Sequence, residues 1–404
     1  MRAQDLALQR DKYKHLSDEE WRWFLQQVDG RERTADKLPT FAAMEDWWYP
    51  VRLSCEQCSS ELTAQYKSEI VHRTSSLRTF LDLTGGYGID TYFLSEHFEH
   101  ADYVEQNAEL CRIATHNFGL KNQESRIKTH NTTAEEFLTN DQSPITNHHY
   151  DLIYLDPARR DSHGGKVFRL EDCTPNVVEL LPTLLRHLTP DGRILLKLSP
   201  MLDITQAVKE LSFVHGTSSP CTLTWDVHVV AIKNEVKEVL LLSQKSKEES
   251  RKPTITAIDL SKKSQAFTFT REEENLSVKR SFSGTVFPLS GEAGLYLYEP
   301  NAAILKAGAY KLVAQRFGLH KLDVNTHLYV SETLVPDFPG RIWKITNDQS
   351  PITHANVVCR NYPLTPEQLK KKLRLRDGGT TFVIGCRVNG KPTLFFGEIL
   401  SLFV

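Results

Sequence analysis

Phe80-Leu-Asp-Leu-Thr-Gly-Gly-Tyr-Gly-Ile-Asp90 is an apolar strand that ends in an acidic residue and opens at once into a glycine-rich turn before a helical pattern. Gly85, Gly86 and Gly88 lack a Cβ, so the turn can take positive φ and its backbone can come close to a ligand at the carboxyl end of a first strand. This is the way an α/β sheet grips a nucleotide-like molecule, and it predicts a doubly wound domain around residue 80. The dinucleotide fingerprint would need a third glycine at position 91, where the chain has Thr91, which argues against NAD.

Two further strand ends face the same crevice. Ala101-Asp-Tyr-Val-Glu-Gln-Asn107 puts Glu105 about 20 residues beyond the first glycine, where a carboxylate can accept from both ribose hydroxyls of an adenosine. Tyr150-Asp-Leu-Ile-Tyr-Leu-Asp156 runs straight into Pro157-Ala158-Arg159-Arg160, which sets Asp156 at a third strand tip. From about residue 73 to 243, strands and helices alternate as a parallel sheet demands. Arg193–Ser199 is the next buried strand. Trp225–Ile232 and Val236–Leu242, joined by a short polar Lys-Asn-Glu, form a hairpin that ends the sheet.

The order Asp-x-Thr-Gly-Gly-x-Gly, Glu105, Asp-Pro-Ala-Arg-Arg resembles class I methyltransferases dependent on S-adenosylmethionine (SAM). With Leu53–Lys67, Tyr298–Gly308 and Asn361–Lys370 added, the chain is similar to bacterial members that carry a THUMP-like C-terminal domain. The resemblance implies a Rossmann-like α/β sheet, SAM as cofactor, ferredoxin-like and THUMP-like α+β domains at the C-terminus, and structured RNA, tRNA or rRNA, as partner. It implies Asp82, Thr84, Gly85, Gly86, Gly88, Glu105, Gln57, Ser60 and Thr133 as cofactor contacts, with Thr133 standing where many relatives place an acidic residue near the adenine. Asp82 capping its own turn, and Ser59 or Ser60 as a plain helix N-cap, are the purely structural alternatives.

Asp156, Pro157 and Arg159 are the candidate catalytic residues. In relatives that methylate amino nitrogens the loop often reads Asp or Asn, Pro, Pro, aromatic, so that oxygens accept from the amine while the ring stacks on the base. Here Ala158 and Arg159 replace the second proline and the ring, and a guanidinium plane can stack on a base or bind a phosphate. Ion pairs of Arg159 and Arg160 with Asp156 or Asp161 are the alternative. Carbon-5 methylation would need a thiol at the crevice. Ser199-Pro200 follows the next strand and Cys173 reads as a small buried residue, so a nitrogen acceptor is expected.

Composition bounds the rest. At 404 residues the chain exceeds one ordinary core, and about 150 residues per domain suggests two or three. The expected division is a helical segment 1–72, a methyltransferase domain 73–244, a ferredoxin-like unit 254–333 and a THUMP-like unit 334–404, with Ser243–Pro253 as a polar linker. No apolar run reaches membrane-spanning length and the start lacks a signal core, so the expectation is a cytoplasmic protein. Seven scattered cysteines fit a reducing compartment, and Cys55-x-x-Cys58 lacks the two further ligands of a zinc site, so no metal is expected.

A net charge of -2 gives no global attraction to nucleic acid. The local exception is Lys370, Lys371, Lys372, Arg374 and Arg376, on a helix capped by Thr365-Pro-Glu-Gln368 and stopped at Asp377-Gly-Gly379; it is either an RNA contact or a solvated face. Trp21, Trp23, Trp47, Trp48 and Tyr49 mark packing onto the next domain or stacking on bases, and Ser17–Glu20 is a capping box. A single helix is expected over Ala302–Phe317, and an Asn389-Gly390 turn between the last two strands. Two other functions fit the same motifs: a methyltransferase of protein or small molecules, and a SAM- or RNA-binding protein without turnover.

Overall fold

The computed structural model describes residues 3–72, 78–120, 123–139, 149–159, 169–212, 223–245, 252–261, 266–277, 294–346 and 352–401. The chain forms two compact units, Met1–Asp226 with Leu240–Arg251, and Val227–Val239 with Lys252–Val404.

In the first unit, β1 (Thr79–Asp82), β2 (His100–Val104), β3 (Ile127–His130) and β4 (Tyr150–Leu155) precede a short pair, β5 (Ala158–Arg159) and β6 (Cys173–Thr174), and then β7 (Leu188–Leu198). The order β7-β4-β1-β2-β3 is parallel throughout. Chain order reverses between β1 and β4, and such a switch point opens a crevice beyond the strand ends. Phe80, Leu81, Leu152, Ile153, Ile194, Leu195 and Leu196 are buried on both faces of these strands. That is why the strands read as continuous apolar runs. The hairpin β8 (Leu223–Ile232) and β9 (Glu235–Lys245) contributes to both units, with β9 next to β7. Its turn has two residues, Lys233 and Asn234, both at positive φ, so Glu235 belongs to the strand.

The N-terminal helix Asp18–Thr34 starts at the expected box, with Ser17 Oγ accepting from Glu20 N and Glu20 accepting from Ser17 N. Trp47 is buried, and its Nε1 donates to Tyr87 Oη at 2.7 Å. Tyr87 belongs to the glycine turn, so the aromatic segment packs onto the sheet domain.

In the second unit, β10 (Ile255–Asp259) runs parallel to Val227–Ala231 of β8, and β11 (Phe267–Phe269) is antiparallel to β10. The hairpin therefore does not end the sheet: Ile255 and Ala257 are buried and β10 covers the outer edge of β8. A second sheet follows from β12 (Tyr296–Pro300), β13 (His320–Lys321), β14 (Tyr329–Ser331), β15 (Gly340–Ile345), β16 (Asn356–Arg360), β17 (Thr381–Val388) and β18 (Lys391–Ser401), in the order β13-β14-β12-β15-β18-β17-β16. Leu297, Trp343, Ile384 and Phe395 form its core. Burying each such side chain contributes about 1.5–3 kcal/mol.

Three further sequence expectations change. Ser243 belongs to β9 and not to a linker: it is buried, and its Oγ accepts from Ile194 N at 2.8 Å; residues 246–251 lie outside the described segments. The helix expected over Ala302–Phe317 is two, Ala302–Ala307 and Tyr310–Arg316, because Gly308 takes φ 78° and ends the first. The helix carrying the basic cluster is Pro366–Leu373, capped by Thr365 and Gln368 as expected, but it stops at Arg374, at φ 57°, before Asp377. The Asn389-Gly390 turn between β17 and β18 is present, both residues at positive φ.

Candidate active site

The glycine turn is held from inside. Asp82 is fully buried, and its carboxylate accepts from Thr84 N at 2.9 Å and from Thr91 Oγ1 at 2.6 Å. Burial pushes this carboxyl up to about 7, against those two hydrogen bonds. It caps the turn, the structural alternative, and is not among the residues that line the cleft. Gly86 sits at φ +56°, and a Cβ at Gly85 would lie 2.1 Å from the Tyr103 ring, so neither position tolerates a side chain. Glu105 is buried at the tip of β2 rather than exposed, and its two oxygens accept from Gly86 N and Asn107 N, each at 2.7 Å.

Thr84, Gly85, Gly86, Gly88 and Glu105 line a cleft of about 280 Å³ at the carboxyl ends of the strands. On the β2–β3 side lie Glu105, Gln106 and Thr133; on the β4–β7 side lie Tyr154, Asp156, Ala158 and Lys197. Thr133 Oγ1 accepts from Glu136 N, so this hydroxyl caps a helix while its residue faces the cleft. Gln57 is on the wall, supplied by the N-terminal segment together with Ser54, Cys58 and Ser59. Ser60 is not on it: its Oγ accepts from Thr63 N as a helix cap, the structural alternative. Glu61 is occupied by Thr40, whose backbone N and hydroxyl both donate to it. The Cys55 and Cys58 thiols donate to the carbonyls of Pro50 and Cys55.

On the β4–β7 side a network appears that the sequence reading missed. Asp156 N donates to Thr84 Oγ1 at 2.6 Å, and Asp156 Oδ2 lies 2.5 Å from Lys197 Nζ. Asp90 Oδ2 accepts from Tyr154 Oη and Ser59 Oγ, each at 2.7 Å, while Lys67 Nζ, fully buried, lies 3.2 Å from Asp90 Oδ1. Burial pushes Asp90 up, but the ammonium groups of Lys67 and Lys197 with the two hydroxyl donors outweigh it and hold the carboxyl below its usual range. The available signal was a lysine interrupting the apolar strand Ile194-Leu-Leu-Lys-Leu198 and an aspartate two residues after Gly88.

Pro157 is buried, and Arg159 pairs with Cys173 in the β5/β6 ladder; the Arg159 side chain, Arg160 and Asp161 lie outside what is described. Cys173 is buried, as expected for a packing residue, and Ser199 Oγ accepts from Met201 N. Trp48 stacks on the His116 ring at 3.6 Å with the Arg112 guanidinium 4.8 Å from its centroid, so its ring is engaged within the fold. In the basic cluster Lys370 pairs with Asp377 at 2.5 Å, while Lys371, Lys372, Arg374 and Arg376 are exposed. Among the described residues no group of His, Cys, Asp and Glu could hold a metal ion.

A glycine turn, a buried carboxylate at the β2 tip and a charged β4 tip thus surround the switch point of a parallel sheet, where α/β folds bind ligands. Residues 296–339 match a ferredoxin-like domain family and residues 344–398 a THUMP domain-like family. A crystal structure from Porphyromonas gingivalis W83, described as a candidate methyltransferase, is 33% identical with TM-score 0.77, over 96% of this chain and 92% of that one. The chain belongs to this family, the class I SAM-dependent methyltransferases with a THUMP-like C-terminal domain. More distant are a SAM-dependent methyltransferase from Agrobacterium tumefaciens (14% identity, TM-score 0.36, 47% of this chain and 64% of that one) and a Streptococcus mutans protein solved with S-adenosylhomocysteine (11%, 0.33, 45% and 96%). No curated protein matches the chain.

Proposed function

We propose that the protein transfers the methyl group of SAM to a nitrogen of a base in structured RNA, tRNA or rRNA. The observation that carries this reading is Asp156, held at the β4 tip on the cleft wall with its backbone and one carboxylate oxygen fixed. The site fits the cofactor. A carboxylate has about four lone-pair positions; the two amides on Glu105 occupy two and leave two for ribose hydroxyls. Gly85, Gly86 and Gly88 let the main chain line the same cleft, with Thr84, Thr133 and Gln57 beside it.

When bound, SAM supplies an electrophilic methyl carbon: the acceptor nitrogen's lone pair forms the new bond as the carbon–sulfur bond breaks with its electron pair left on sulfur. Asp156 and the Pro157 backbone orient the acceptor amine, and Asp156 takes the released N–H proton. In this reading residues 73–244 carry the chemistry, residues 1–72 supply part of the cleft wall, and 254–333 and 334–404 bind RNA, with Arg159 contacting the substrate and Lys371, Lys372, Arg374 and Arg376 contacting phosphates. No helix among the described residues is long and apolar enough to cross a membrane; a cytoplasmic location is part of this reading. Mass spectrometry of nucleosides in RNA from cells with and without the gene tests the reading; an unchanged set of methylated bases refutes it.

A further inference from the structure

Lys197 has no role of its own in that reaction, yet it lies on the cleft wall beside Asp156. It follows Leu196, which is in register with Leu155 on the neighbouring parallel strand, so Lys197 and Asp156 come one step later on adjacent strands. Its neighbours Ile194, Leu195, Leu196 and Leu198 are buried, and its own side chain is only 13% exposed. A lysine so placed is costly unless paired, and a packing role would be met as well or better by an apolar side chain. Its ammonium instead pairs with Asp156 and acts on Asp90, which is itself tied to Lys67. The result is an alternating row, Lys67, Asp90, Lys197, Asp156, from the buried interior to the cleft.

The last member is the group that meets the acceptor. Lys197 holds Asp156 Oδ2, and Thr84 holds the Asp156 backbone N–H. Asp156 Oδ1 accepts from none of the described residues, on a side chain 38% exposed at the cleft wall. Among the described residues, one oxygen is thus tethered and the other takes no hydrogen bond. We propose that Lys197 is a positioning residue of methyl transfer, fixing Asp156 so that Oδ1 faces the acceptor N–H; this rests on the methyltransferase reading above. Asp90, paired with Lys67, also attracts the Lys197 ammonium.

The test compares wild type, Lys197→Met, Lys197→Arg, Asp156→Ala and the double variant Lys197→Met/Asp156→Ala. Calorimetry gives the affinity for S-adenosylhomocysteine. Label from methyl-tritiated SAM is followed into the RNA, protein and small-molecule fractions of a cell extract. Lys197→Met should lose about 100-fold in rate, the effect of a catalytic group misplaced by about an ångström, with cofactor affinity unchanged. Lys197→Arg should recover most of the rate and also shows whether a loss in the methionine variant is misfolding. The double variant should be no slower than Asp156→Ala alone, because the lysine acts only through that carboxylate. Wild-type rate in Lys197→Met overturns the proposal, as do losses that multiply to about 10,000-fold in the double variant or a tenfold weaker cofactor affinity. Label in protein or small molecules refutes the RNA reading instead, and the comparison among variants still decides the role of Lys197.

Discussion

Glu105→Gln separates the structural from the ligand-binding role of the β2 carboxylate. In the wild type both oxygens are acceptors, one for Gly86 N and one for Asn107 N, each at 2.7 Å. The amide oxygen of glutamine can keep one of these bonds, but its NH2 then faces the other backbone N–H. Losing one hydrogen bond to a charged group costs about 1.5–3 kcal/mol of stability in the first unit. A ribose hydroxyl that loses its charged acceptor costs about 1–3 kcal/mol of binding, or about 5- to 150-fold in affinity. Calorimetry with S-adenosylhomocysteine and its 2′,3′-dideoxy analogue tells these apart. Loosening of Gly86 weakens both ligands alike, whereas removal of the ribose hydrogen bonds weakens only the ligand with hydroxyls. The wild type should therefore prefer the natural ligand by that margin, and Glu105→Gln should nearly erase the preference. An equal preference in both proteins would refute the ribose interaction and leave Glu105 as a clasp for the turn.

Asp156→Ala should cut turnover about 100-fold or more with unchanged affinity for S-adenosylhomocysteine, read from single-turnover kinetics and calorimetry; wild-type turnover would remove it from the mechanism. Replacing Lys371, Lys372 and Arg374 by glutamine should weaken RNA binding at all sequences and flatten its log-log salt slope by about 0.7–0.9 for each phosphate no longer neutralised, and an unchanged slope would make the cluster a solvated face. Asp82, with its folded-state value raised to about 7 by burial, stabilises the fold fully below about pH 4 and loses that contribution as pH rises through 7. Relative to Asp82→Asn, the wild type should thus lose on the order of 4 kcal/mol between those limits; denaturant unfolding that shows a parallel pH dependence in both proteins would contradict the burial.

What the sequence made legible was local. Three glycines and Glu105 at consecutive strand ends identify the cleft, because the demands on them, a missing Cβ and a carboxylate at a strand tip, are set within a few residues. The capping boxes at Ser17 and Thr365 and the Asn389-Gly390 turn are of the same kind. Asp82 and Glu105 show where such reading stops. Both are carboxylates ending neighbouring strands, yet Asp82 turns inward to Thr91 while Glu105, one methylene longer, reaches Gly86 and still faces the cleft. Only the packing around each decides that. Lys197 lies 41 residues beyond Asp156 in sequence and Lys67 lies 23 before Asp90, so their pairing depends on strand register and helix placement that no motif encodes. The same holds for β10, which follows the hairpin in sequence yet pairs parallel with β8, a register no local motif encodes. The basic cluster repeats the point in reverse. Five cations close in sequence read as one surface, but Asp377 neutralises Lys370, and the helix ends before Arg374 and Arg376, leaving a smaller and differently shaped exposed patch.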